Sequence, residues 1–261
     1  MVNARPSSDE REVVPTLDPG RGLRVLVGLS VLVTVASGLF YVLAMLTWHE
    51  AFLTLWYLFD VGREHNLATW FASVLWAALG ACALLAGLVS GRRRVGWVVF
   101  AAVAFAVSVD EYAELHERLD VVGDALAVGL GVDLWFTWVL PGLALGAAVV
   151  LALGGLVWSL ASRALALLVA GGVVFALGAI GLETLSGFVL AAFEGQVTWH
   201  YVGVTLAEEM CEMVGVSLAI AGLLHVFSWE RGDGLCVRFV GWREESERRG
   251  RAVAGAGSAA R

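Results

Sequence analysis

GWVVFAAVAFAVSVDEYAELHERLD, residues 96–120, decides the fold. Its first half is an uncharged apolar run, and about 20 such residues cross a bilayer. Backbone facing lipid must satisfy its own hydrogen bonds, so the run reads as a helix. Its second half carries Asp110, Glu111, Glu114, Glu117 and Asp120, with His116 among them. A helix leaving the membrane accounts for acids at the end of the run. It does not account for Asp110, only a few residues past Phe105.

The rest of the chain has the same character. Of 261 residues, 59% are hydrophobic, and the mean hydropathy is +0.79. Six apolar runs are expected to span a membrane: 23–47, 67–90, 95–117, 133–159, 164–192 and 198–228. They are continuous rather than alternating, which argues against strands of a membrane barrel. The fold class is therefore all-α, an integral membrane bundle of six helices. Residues 1–22 read as a disordered tail, 23–228 as the transmembrane domain, and 229–261 as an Arg-rich tail, partly disordered. The first apolar run is too long for a signal-peptide core and reads as a retained helix.

All 17 basic residues are arginine. Fifteen lie in the N-terminal tail and its junction with the first span, the 91–94 loop, Arg163 and the C-terminal tail, while Arg63 and Arg118 lie at the opposite end. That asymmetry orients both termini to the cytoplasm, in a multi-pass protein of the inner (cytoplasmic) membrane. The basic tail reads as a topology determinant, with no nucleic-acid role. The bilayer is the expected partner, with a homo-oligomer open. Cys82, Cys211 and Cys236 suggest no disulfide framework.

Between spans, 49–66 reads as a short interfacial helix or re-entrant turn, and 118–132 as an outer loop. Residues 235–250 are expected to lie on the membrane surface with Leu235, Phe239 and Trp242 inward. Trp48, Trp56, Trp70, Trp135, Trp138 and Trp199 read as an aromatic belt. Gly154, Gly155, Gly171, Gly172, Gly178 and Gly181 read as close-packing positions, and Pro141 as a kink. His49, His65 and His225 read as incidental, and Glu194 as a loop charge.

Depth brings the acids together. At about 1.5 Å per residue, Asp110 lies roughly 24 Å above the arginine-rich end, Glu183 about 28 Å, and Glu212 and Glu208 about 24 and 30 Å. Three helices thus place acids at one level. On a continued helix, Asp110, Glu114 and Glu117 would share a face. Ionisable groups inside a membrane face a bundle interior or water. Clustered carboxylates cannot all stay ionised uncompensated. Either protons or a bound cation balance them. An acid-rich set with an imidazole suits a divalent metal ion of undetermined identity. The candidate ligands are Asp110, Glu111, His116, Glu117, Glu183, Glu208, Glu209 and Glu212, with His200 as a second imidazole. The spacing fits neither a ferritin-like Glu-x-x-His pair nor HExxH. Glu117 reads equally as solvated and Asp120 chiefly so, Glu114 as an i,i+4 partner of Arg118, and Asp110, Glu183, Glu208 and Glu212 as a hydrogen-bonded network.

DExxxxHE (Asp110, Glu111, His116, Glu117), GxExxxG (Gly181, Glu183, Gly187) and EExxEMxG (Glu208, Glu209, Glu212, Met213, Gly215) resemble an uncharacterised family of prokaryotic multi-pass membrane proteins. WVLP, ending at Pro141, is similar too. The resemblance covers roughly residues 95–228 and implies that these positions form a shared site. Ser186-Gly187 departs from the glycine pair such proteins carry after the glutamate. The resemblance implies no activity.

Three functions compete. The first is metal binding, used to activate water for hydrolysis of a membrane substrate, with Glu209 or Glu111 as general base. The second is a cation or proton transporter or channel. The third is a structural or signalling module whose acids hold the bundle. No GxSxG nucleophile is present, and EExxxR of intramembrane proteases fails at Met213.

Overall fold

A computed structural model describes residues 18–231 and 235–244. The rest of both tails, 1–17 and 245–261, lies outside the described residues, and with it most of the disorder expected there.

Nine α-helices and one hairpin make up the described chain: α1 (Pro19–Thr47), α2 (Glu50–Phe59), α3 (Leu67–Val89), α4 (Arg94–Ala113), α5 (Asp120–Leu130), α6 (Val139–Trp158), α7 (Ser162–Ala176), α8 (Glu183–Ala192), α9 (Trp199–Leu224), β1 (Phe227–Arg231) and β2 (Leu235–Phe239). Among the described residues, five helical segments are long and apolar enough to cross a membrane: α1, α3, α4, α6 and the α7–α8 unit, Ser162–Ala192. Helix α9 is as long but carries Glu208, Glu209 and Glu212. The bundle leaves large apolar side chains on its outside, with Leu32 62%, Leu88 70% and Leu151 84% exposed. A water-soluble surface avoids contiguous patches of that kind, whereas lipid favours them.

Local sequence sets the helix starts. Asp18 caps α1, accepting from Gly20 N at 2.9 Å, with Pro19 next in line. Asn66 caps α3 twice over, accepting from Ala68 N at 2.8 Å and Thr69 N at 3.1 Å. Its amide also donates to Asp60 O at 2.6 Å and Arg63 O at 3.0 Å. One side chain thus fixes both the helix start and the loop before it. Such caps are worth about 1 kcal/mol each.

Helix α9 is the axis of the bundle, packed by α7, α1 and α3. Its second half is buried on all sides, from Met213 through Val216, Ile220 and Leu223. Small residues make the closest approach. A β-carbon on Gly171 would meet Gly215 O at 2.5 Å, and one on Gly215 would meet Phe175 N at 2.6 Å. Gly154 and Gly172 face open space instead, so they are not packing positions. Helices α3 and α4 form a tight hairpin, joined by the 90–93 turn.

Several expectations are corrected. The third span ends at Ala113, not 117, because Glu114 takes a left-handed conformation (φ 52°) and its N–H closes onto Asp110 O. Glu114, His116 and Glu117 therefore do not continue the helix. Residues 118–132 are not a loop, since α5 occupies Asp120–Leu130. Pro141 sits in the first turn of α6, where no intrahelical bond is lost, so it makes no kink. Helix α9 stops at Leu224, and Phe227–Arg231 pairs antiparallel with Leu235–Phe239, Trp229 opposite Val237. The 49–66 segment does contain its short helix, α2.

The hairpin docks on the turn between α6 and α7. Ala161 N donates to Gly241 O at 2.7 Å and Arg243 N to Ser159 O at 3.1 Å. Phe239 and Trp242 close over the fully buried indole of Trp97, at ring distances of 5.8 and 6.4 Å. Trp242 is inward, as expected, but against protein.

Candidate functional site

The acids gather at the end of the bundle opposite this hairpin. Helix α9 supplies Glu208, Glu209 and Glu212, and one helical arc holds all three. Opposite them, the α7–α8 unit contains a π-helical segment, Leu177–Leu182, directly before Glu183. The added residue in that turn re-aims Glu183 and the rest of α8, as π-bulges at functional sites do. Gly178 lies in the segment. A β-carbon there would meet Glu208 O at 2.7 Å and Glu212 Cγ at 2.8 Å. Glycine thus lets the widened helix press directly on the acidic face of α9.

Glu183 and Glu208 have their carboxyl groups against each other. Trp138, at the start of α6, donates from Nε1 to Glu183 Oε1 at 3.3 Å. Glu208 is only 5% exposed, and its Oε2 has no hydrogen-bond partner. Glu209 lies near Glu111, Glu64, Glu183 and Asp60, and Glu212 near Glu209, Glu111, Glu183 and Glu64. Trp76 of α3 faces Glu111.

Asp110 and His116 form the rim. Asp110 Oδ1 accepts from His116 N at 2.7 Å, and Oδ2 lies 3.0 Å from His116 Nδ1. The left-handed Glu114 turns the chain back to allow this. His116 also sets its ring edge-on to Trp138, centroids 4.7 Å apart. Burial lowers the His116 pKa, but the Asp110 hydrogen bond and the charges of Asp110, Glu111 and Glu183 outweigh it, and the net direction is up. Asp110 and His116 side chains are 27% and 28% exposed. The site therefore grades from an open rim to a buried floor at Glu208.

The structure brings Asp110 to His116, and Glu111 and Glu183 to Glu208, Glu209 and Glu212. Glu117 is exposed, near Glu114, His116 and Glu183, and its pKa is raised by burial of part of the side chain and by Glu114. His200 is exposed and stacked on Phe193, centroids 5.5 Å apart, so it is not a second imidazole of the site. Asp120 is not simply solvated. It accepts from Trp138 N at 2.7 Å and Thr137 Oγ1 at 3.0 Å, tying α5 to α6. Glu114 pairs with His65 Nδ1 at 3.4 Å rather than Arg118, so His65 is not incidental. His49 caps α2. Trp138 is a site residue as well as a belt residue.

Two acids were not anticipated. Glu64 lies in the loop organised by Asn66, with one oxygen buried and unpartnered. Burial and the neighbouring Glu111 charge push its pKa up to about 7. Asp60, in the same loop, pairs with Arg63 Nε at 3.2 Å. The signal was the charge density of DVGREHN, hidden by its position outside any span.

Among the described residues, no three of His, Cys, Asp and Glu are arranged as ligands around one metal position. The serines are engaged: Ser73 and Ser108 bond each other's carbonyls at 2.6 and 2.8 Å, and Ser186 Oγ donates to Glu183 O. They offer no free nucleophile. Clustered carboxylates of this kind stay uncompensated unless protons or a cation balance them. No curated protein and no solved structure matches the chain. Residues 23–227 match a family described as Domain of unknown function (DUF8692), and the chain belongs to that family.

Proposed function

We propose that the protein spans the cytoplasmic membrane six times, α9 included, with both termini inside, and binds a divalent cation in an acidic pocket open to the outer face. The observation that carries this reading is Glu208. A side chain only 5% exposed, with an unpartnered carboxyl oxygen and set beside Glu183, Glu209 and Glu212, is left uncompensated unless it takes up a proton or a cation. The donors, carboxylates with the single imidazole of His116, suit a hard cation. Their present arrangement is not a closed ligand set, so binding requires Glu209 and Glu212 to turn towards Glu183 and Glu208. A cation held there would lower the pKa of a bound water and so supply hydrolysis of a membrane substrate. The protein's own part is to hold the carboxylates around the site, and to offer Glu111 or Glu209 as the base.

The test is metal content. Purified wild type is expected to carry stoichiometric divalent metal by mass spectrometry, or to gain thermal stability from added divalents. Glu183→Ala with Glu208→Ala removes both effects. Absence of both in wild type sinks the reading.

A second reading has its own support. Two facing carboxyls, Glu183 and Glu208, satisfy each other if they share a proton. The pocket then serves protons or monovalent cations, as a transporter or as a network that holds the bundle. Flux in proteoliposomes abolished by Asp110→Asn supports transport; loss of stability alone supports the network.

A further inference from the structure

At the arginine-rich end, a cleft of about 170 Å³ opens between the start of α4, the end of α6 and residues 242–244. We propose that it binds the phosphate of an anionic phospholipid. The proposal rests on the multi-pass reading and is independent of the acidic pocket.

Three guanidiniums line the cleft against one carboxylate, Glu244. Arg92 lies over Trp242, 5.2 Å from the ring centroid, with Nη1 3.6 Å from Glu244. Arg243 lies on Trp158 at the same 5.2 Å, its Nε 3.5 Å from Leu160 O. These indole contacts restrain both guanidiniums, which suits arginine better than lysine. Arg93 takes a left-handed φ of 53° and reaches across to α6, where a β-carbon on Gly155 would lie 3.7 Å from Nη1. Among the described residues Arg93 forms no ion pair. It is also the N-cap of α4 and makes no side-chain cap bond, so the first-turn N–H groups there add to the positive field.

The surroundings favour lipid over a soluble anion. Val95, Leu151 and Trp158 flank the cleft or its helices at 78%, 84% and 68% exposure. Acyl chains can lie along that surface while the headgroup meets the arginines. Basic pockets between helices on the cytoplasmic side are suited to anionic headgroups.

The full-length protein in detergent is titrated with phosphatidylglycerol and with phosphatidylcholine, and occupancy is read by native mass spectrometry. Phosphatidylglycerol is expected to bind at least tenfold more tightly. Removing an arginine weakens it about fivefold, since each contributes about 1 kcal/mol at a membrane surface. Arg92→Gln with Arg93→Gln is the main variant; Arg93→Gln alone serves if the pair folds poorly. Arg163→Gln, outside the cleft, leaves binding unchanged. Equal binding of the two lipids, or unchanged binding in Arg93→Gln, overturns the proposal. Displacement of phosphatidylglycerol by millimolar inorganic phosphate assigns the site to a free anion and overturns the lipid source. Metal content of the same samples is read separately, so failure of one site does not mimic failure of the other.

Discussion

Gly178 sits where a β-carbon would come within 2.7 Å of the Glu208 carbonyl oxygen. The contact joins the π-helical segment to the acidic half of α9 with no side chain on the Gly178 side. Gly178→Ala must push the two helices apart. The expected cost is about 1–3 kcal/mol, seen as a lower Tm in detergent. Gly172→Ala, earlier in α7 and facing open space, is expected to be neutral or slightly stabilising. Equal effects would remove the argument.

The Asp110–His116 bond gives a pH dependence. The His116 pKa is raised in the folded state, so the pair's stabilisation is present in full below about pH 6.5 and is lost as pH rises through the raised value. His116→Gln is expected to flatten that part of the Tm profile. An NMR titration of the ring with a midpoint below the usual value would contradict this.

Glu64 acts in the same direction by a different route. Its folded pKa of about 7 exceeds the ordinary carboxyl value, so the folded state holds the extra proton between about pH 4.5 and 7. Stability therefore falls as pH rises through that window. Glu64→Gln is expected to raise Tm at pH 7.5 and to leave it unchanged at pH 4.5. The difference should be about 1–2 kcal/mol after allowance for solvent screening.

Asp120 anchors α6 through Trp138 N and Thr137 Oγ1. Asp120→Ala is expected to cost about 2 kcal/mol and to release Trp138 from Glu183. Tryptophan emission should shift to the red. Trp138→Phe removes the Glu183 bond while keeping the ring near His116, and its cost should be the smaller of the two.

The spans were legible because length and apolarity are local properties: 67–90 was expected, and Leu67–Val89 is observed. The coincidence of Asp110, Glu183, Glu208 and Glu212 was legible for the same reason, through rise per residue. What stayed hidden depends on single backbone choices. Glu114 ends α4 in a left-handed turn without a glycine to announce it. The π-segment adds one residue to a turn, which hydropathy does not register. Glu64 enters the pocket through a loop whose path is set by Asn66, a contact across the loop and not a periodicity.

The hairpin has a consequence for access. Phe239 and Trp242 over Trp97, with Ala161 and Arg243 bonded into the same turn, stopper one end of the bundle, while Asp110 and His116 stand part-exposed at the other. A cation bound at Glu208 would then reach it from the Asp110–His116 end.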